Sequence, residues 1–221
     1  DAHDLLSDGA GGLIVANGGV TLLPETGRLK RQLDTMDSSI VRLDAQAGHL
    51  TGQWRLADRR LSLRHLAWGP RGAGERQLGV ALQAEHQDPA ERAAAPVLAV
   101  FDGRTLQTCL NGGSLAGYGG DIVGTPTGFA VSCPRADAVA TWHADGRWDT
   151  QHPQAKACAL LMAGERALWS GGANAVAWGD AQTGPHTLSL PQQPPLQLDN
   201  HWALLAQRGA RHEFIEKGNT S

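Results

Sequence analysis

Charge is scarce in this chain of 221 residues: Asp, Glu, Lys and Arg make up 19%, with 19 basic side chains against 22 acidic ones. No basic block occurs, so the electrostatic footprint of a nucleic-acid binder is missing. Long apolar runs are missing too. The longest, about Ala93 to Phe101, is interrupted by Pro96 and falls well short of the roughly 18 residues of a membrane-spanning helix. No export leader is recognisable, because Asp1-Ala2-His3-Asp4 is polar and reads as sequence from inside a domain.

Several chemical signatures are absent as well. There is no G-x-G-x-x-G or Walker loop to cradle a nucleotide. There is no G-x-S-x-G nucleophile elbow. The three cysteines, Cys109, Cys133 and Cys158, are odd in number and widely spaced, and no C-x-x-C pair occurs. A thiolate zinc site or a redox pair is therefore unsupported. The thiols read as small buried apolar residues, with one disulfide and a leftover thiol as the alternative. Ser132-Cys133-Pro134-Arg135 sets a thiol beside a cation, but no histidine base stands at a readable spacing.

What the chain does have is glycine, 28 residues of it, and seven tryptophans against one tyrosine and three phenylalanines. A length of 221 residues allows one large or two small domains, and 41% apolar residues suffice for a real core. Many glycines with few charges imply many tight turns, as in an all-β fold.

The turns repeat. Asp44-Ala45-Gln46-Ala47-Gly48 recurs as Asp180-Ala181-Gln182-Thr183-Gly184, with shorter relatives at Asp102-Gly103-Arg104 and Asp145-Gly146-Arg147. Each follows an alternating or apolar run and precedes another, which is a hairpin signal. Upstream of each lies a second hairpin, turning at 7–12, 69–72, 125–128 and 163–165. The unit is four strands, A to D, repeated roughly every 36 to 55 residues, close to the period of a β-propeller blade. The expected blades are about 1–60, 61–117, 118–154 and 155–195. A strand at 200–205 would open a fifth, and a polar tail follows from 208 to 221. Sheets stacked radially bury faces that no single sheet can bury alone, and Trp142, Trp169 and Trp178 suit the wedges between them. Two insertions, Thr21 to Ser38 and Ala84 to Pro96, separate strands B and C of the first two blades, and long loops of this kind commonly carry function. Within the second, residues 87–95 read as a loop rather than a helix.

A strands line the channel of a propeller. His3, His65 and His201 fall at or near A-strand starts, with Arg64 before His65 and Asp199-Asn200 before His201. The topology should gather them at one mouth. Imidazoles beside a carboxylate can bind a metal or face a haem propionate, whereas Arg64 with Arg28 and Lys30 can bind a carboxylate or phosphate. The alternative is that each histidine only hydrogen-bonds a neighbouring carbonyl. Asn17-Gly18-Gly19 reads either as a tight turn or as a place where a ligand approaches the backbone.

These motifs together carry a resemblance. Ala16-Asn17-Gly18-Gly19, Gly27-Arg28 with Lys30, Leu33, Thr35-Met36, Ser39, and Leu61-Ser62 with Arg64-His65-Leu66-Ala67 are similar to a bacterial family of exported seven-bladed propellers of unknown function. The likeness continues at Gln83, Ser132-Cys133-Pro134-Arg135, Cys158 and Asp199-Asn200-His201. The resemblance implies a periplasmic protein, usually exported through the twin-arginine route, and a role around iron acquisition through gene neighbours of imelysin and di-haem oxidoreductase type. It supplies no catalytic residues. Its members are longer, with roughly two more blades upstream.

The resulting expectation is a monomeric binding or scaffold propeller rather than an enzyme. A small ligand or a periplasmic protein would sit on the mouth formed by His3, Arg64, His65, Asp199, Asn200 and His201, with Asn17, Arg28, Lys30 and Gln83 around it. The cofactor, whether metal or haem, is left open. One alternative is a lactonase-like hydrolase, for which the A-strand starts offer Asp4, Asp121, Asp199 and Asn200 as cation ligands. The other is a purely structural interaction module.

Overall fold

The computed structural model describes residues 2–20, 33–70, 76–164, 167–171, 176–180, 186–188 and 199–203. Its strands form four antiparallel sheets of four, each in chain order. The first holds β1 (Ala2–Ser7), β2 (Gly12–Asn17), β3 (Ser39–Asp44) and β4 (Leu50–Trp54). The second holds β5 (Leu61–Trp68), β6 (Leu78–Ala84), β7 (Leu98–Phe101) and β8 (Leu106–Thr108). The third holds β9 (Asp121–Gly124), β10 (Gly128–Cys133), β11 (Ala138–His143) and β12 (Trp148–Pro153). The fourth holds β13 (Ala159–Ala163), β14 (Ala167–Gly171), β15 (Val176–Asp180) and β16 (His186–Leu188). The first strands of successive sheets, β1, β5, β9 and β13, are neighbours in space. That is the radial arrangement of a β-propeller.

The repeated aspartates make the hairpins. Asp44 Oδ1 accepts from the backbone N–H of Gln46 (3.1 Å) and Ala47 (2.7 Å). Asp102 Oδ1 does the same for Arg104 (2.8 Å) and Thr105 (2.7 Å). Asp145 Oδ1 accepts from Arg147 N–H at 3.1 Å. A carboxylate that pins the backbone two residues on replaces a ladder bond and starts the reversal. Gly103 and Gly146 complete it at φ of 93° and 82°. Turn residues 181–184 lie outside the described residues.

Burial follows from position in the ring. β2 alternates buried and half-buried residues, whereas β6 and β10 are buried along their whole length. A strand pressed between two sheets has no solvent face and loses its alternation. One apolar cluster fills each gap between sheets. Ile14, Ile40, Leu63 and Leu82 join the first to the second. Leu98, Ile122, Phe129 and Trp142 join the second to the third. Ala130, Val139, Leu160 and Leu168 join the third to the fourth. Gly79 lets the second gap close: a Cβ there would stand 2.5 Å from Phe129 Cδ1. Trp142 packs as expected, 1% exposed, and its indole N–H donates to the Leu110 carbonyl at 3.0 Å. Only the backbones of Trp169 and Trp178 are described.

Two expectations are corrected. Residues 87–95 are not all loop, because α1 spans Pro89–Ala94. The Asp88 carboxylate caps it by accepting from Ala90 and Glu91 N–H, and Pro89 sits in the first turn where no N–H is needed. The strand expected at 200–205 is not a strand over its described part. Asp199 Oδ1 accepts from Asn200 N–H at 2.6 Å, which bends the chain, and residues 201–203 pair with no described ladder. The three thiols are free, with Cys109 and Cys133 buried and Cys158 half-buried.

Candidate functional site

In each sheet the first strand starts at the same rim, and the connection between its second and third strands returns there. His3, His65 and the insertion between β6 and β7 therefore share one end of the ring.

The strand ladders break where the imidazoles project. The β1–β2 register shifts between Ala2 and Asp4, at His3. The β5–β6 register shifts between Leu63 and Leu66, at Arg64 and His65. Bulges re-aim side chains that regular pairing would send to alternate faces. Here they bring the His3 and His65 rings to 4.8 Å, edge to face. His201 arrives from residues 199–203 and tilts over His65 at 4.4 Å. Trp202 docks this segment against β14 through Gly171, where a Cβ would stand 2.6 Å from the indole Cη2.

Carboxylates tie the inner strands together. Asp4 Oδ2 on β1 accepts from Leu66 N–H on β5 at 2.8 Å. Asp121 Oδ2 on β9 accepts from Leu160 N–H on β13 at 3.0 Å. The same device recurs at two junctions of the ring. Both carboxylates also face an imidazole: Asp4 Oδ2 lies 3.9 Å from His65 Nδ1, and Asp121 Oδ2 lies 3.5 Å from His201 Nδ1.

A cavity of about 350 Å³ opens between these groups. His3, Asp4, His65, Asp121 and His201 line it, with apolar walls from Ile122, Leu160 and Trp202. Burial pushes the His65 imidazole down to about 3, with smaller contributions from His201, His3 and Arg64. His3 is lowered by desolvation and then by Arg64. Desolvation raises the Asp121 carboxyl, against the backbone amides of Leu160 and Ile122 that oppose the shift. Arg64 is buried; its Nη1 lies 3.2 Å from His3 Nδ1 and its Nη2 lies 3.8 Å from Glu85 Oε1. A guanidinium has no acceptor, so His3 Nδ1 takes the bond and neutral His3 carries its proton on Nε2. Arg64 Nε has no hydrogen-bond partner among the described residues.

Of the expected mouth residues, His3, Arg64, His65 and His201 are brought together. Asn17 and Gln83 make hydrogen bonds within the scaffold. Asn17 Nδ2 donates to Ser39 Oγ at 3.4 Å, and its carbonyl accepts from Ser38 Oγ at 3.0 Å. Gln83 Nε2 donates to the Gly119 carbonyl at 3.4 Å, in a buried isolated bridge to Tyr118. Neither lines the cavity. Asp199 and Asn200 are exposed next to His201 but do not line it. Arg28 and Lys30 lie outside the described residues. Glu85 follows β6 with no pattern to mark it as a partner of Arg64. Asp4 and Asp121 were legible only as A-strand carboxylates.

A second cavity, of about 560 Å³, lies at the opposite rim among Gln107, Cys109, Asp145, Arg147 and Trp148. Arg147 Nε donates to Asp145 Oδ2 at 2.7 Å, and burial pushes the Cys109 thiol up to about 12. These groups satisfy one another or stay neutral.

The family described as "Protein of unknown function (DUF1513)" matches residues 1–205. The chain belongs to this family. No protein of curated function matches the DUF1513 chain. Its fold is similar to that of a solved streptogramin B lyase, with 12% identity and a TM-score of 0.53 over 86% of this chain and 69% of that one. It is also similar to virginiamycin B lyase from Staphylococcus aureus, with 11% identity and a TM-score of 0.51 over 86% and 70%. At these identities the likeness concerns the DUF1513 fold alone.

Proposed function

We propose that this DUF1513 chain is a binding propeller that seats a small ligand at its channel mouth. The supporting observation is the contact chain His3–His65–His201, built from separate parts of the ring with rings 4.8 and 4.4 Å apart. Desolvation disfavours the charged forms of His3, Arg64, His65 and Asp121, and the imidazoles contribute few hydrogen bonds in return. Perturbed titratable groups converging on a cavity are the usual physical mark of a functional site. A volume of about 350 Å³ suits an ion or a small molecule. A periplasmic location and an association with iron uptake belong to the same reading and are carried by the family resemblance rather than by geometry.

Native mass spectrometry of the untagged, mildly purified chain tests it. One small adduct per chain is expected, lost in His65→Ala and kept in His152→Ala. A bare mass, or an adduct indifferent to His65, overturns the reading.

A second reading, hydrolase or lyase chemistry at the same mouth, has one observation in its favour. Asp121, with its carboxyl raised by burial, stands 3.5 Å from His201 Nδ1, as an acid–base pair would. The solved neighbours bear lyase names on this scaffold. Lactone turnover that disappears in His201→Ala would favour this reading over simple binding.

A further inference from the structure

His65, Asp121 and His201 each present one donor atom, and the three atoms lie within 4.8 Å of one another. We infer that they form a site for one divalent transition-metal ion of the zinc or cobalt kind, set in the channel mouth. This inference rests on the binding reading above and names the class of its ligand.

The donor set decides the class. Two imidazoles and one carboxylate suit borderline ions such as zinc, cobalt or nickel. Calcium and magnesium prefer oxygen donors and more of them, and the mouth does not supply these. The spacing is close to what is needed. Donors about 2.1 Å from a tetrahedral ion stand roughly 3.4 Å apart. Closing from 4.8 Å asks for shifts of about 1 Å, within ordinary side-chain adjustment. His201 can supply most of this, since its side chain is 52% exposed and residues 199–203 lie outside any described ladder.

The surroundings are arranged as metal sites require. Asp121 is fixed by Ile122 N–H on Oδ1 at 2.8 Å and by Leu160 N–H on Oδ2 at 3.0 Å. Each oxygen keeps a second lone pair for an ion. Asp4 stands beside His65, the carboxylate–histidine adjacency that orients ligating imidazoles. The cavity leaves room next to the three donors for water or a small ligand as a further partner.

The test is titration of cobalt(II) into metal-free chain, read by visible ligand-field absorption, with equilibrium dialysis of zinc(II) alongside. One ion per chain is expected, uncompeted by excess calcium. His201→Ala alters a half-exposed side chain and should keep the unfolding temperature of the metal-free chain while binding cobalt at least about tenfold more weakly. Asp121→Asn should weaken it too, and His152→Ala should not. Absence of stoichiometric cobalt and zinc, or affinity unchanged in both His201→Ala and Asp121→Asn, overturns the metal site. If that happens while a His65-dependent adduct persists in native mass spectrometry, the binding reading survives alone. If the adduct is absent as well, both fall.

Discussion

The imidazoles of His65 and His201 stand 4.4 Å apart, inclined at 44°, although one belongs to the second sheet and the other follows the fourth. His3 adds a third ring, 4.8 Å from His65. No two of these residues share a strand, so only the side-by-side packing of successive sheets makes them neighbours.

The cluster predicts an acid sensitivity. The folded chain refuses a proton on His65 until about pH 3, whereas the unfolded imidazole takes one near 6.5. Between those values the unfolded state binds more protons. The stability of the metal-free chain should therefore be full above about pH 6.5 and fall as pH drops towards 3. Denaturant unfolding at pH 7 and pH 5 measures the slope, and His65→Gln should flatten it. An equal slope in both proteins contradicts the assignment.

Asp4 predicts a structural cost at the same mouth. Its Oδ2 holds Leu66 N–H across the first junction of the ring, and its Oδ1 holds Leu5 N–H at 2.7 Å. Asp4→Ala should destabilise by about 1–3 kcal/mol, mainly by stranding the Leu66 amide. Urea midpoints would show it, and a neutral outcome would mean that water replaces the carboxylate freely.

The gap between the second and third sheets predicts the largest single loss. Phe129 is fully buried there over Gly79. Phe129→Ala should cost about 3–5 kcal/mol. Gly79→Val, which forces a branched side chain into that ring, should cost about 1–3 kcal/mol. Thermal and denaturant unfolding check both, and small effects would mean that the sheets do not interlock at this point.

The thiols predict an order of reactivity. Burial pushes Cys109 and Cys133 up to about 12, and it raises Cys158 as well, although that residue is only half-buried. Iodoacetamide applied to the native chain should mark Cys158 first and leave the other two until unfolding. Peptide mass spectrometry reads the order, and early labelling of Cys133 would contradict the packing.

Architecture was legible in the sequence because its signals are local. An aspartate that pins the amide two residues on, with a glycine in the same turn, announces a hairpin, and Asp44, Asp102 and Asp145 do this. The meeting of His3 and His65 was legible at one remove, since first strands of successive blades must start at one rim, whereas His201 joins them from a segment that is not a strand over its described part. Other parts were not. Asn17 and Gln83 look as polar as ligand-binding residues do, yet their amides go to Ser39 and Gly119. The helix at Pro89–Ala94 depended on a cap, Asp88, that also fits a turn. The bulge that turns out Arg64 and His65 leaves no mark in composition or spacing, because it comes from the register of two strands.

The most direct measurement is anomalous diffraction from crystals of this chain grown with cobalt(II). The account predicts one strong peak bounded by His65, Asp121 and His201, with the His3 ring packed against His65. A density map with the three imidazoles apart, or cobalt bound elsewhere and none at the mouth, would contradict it.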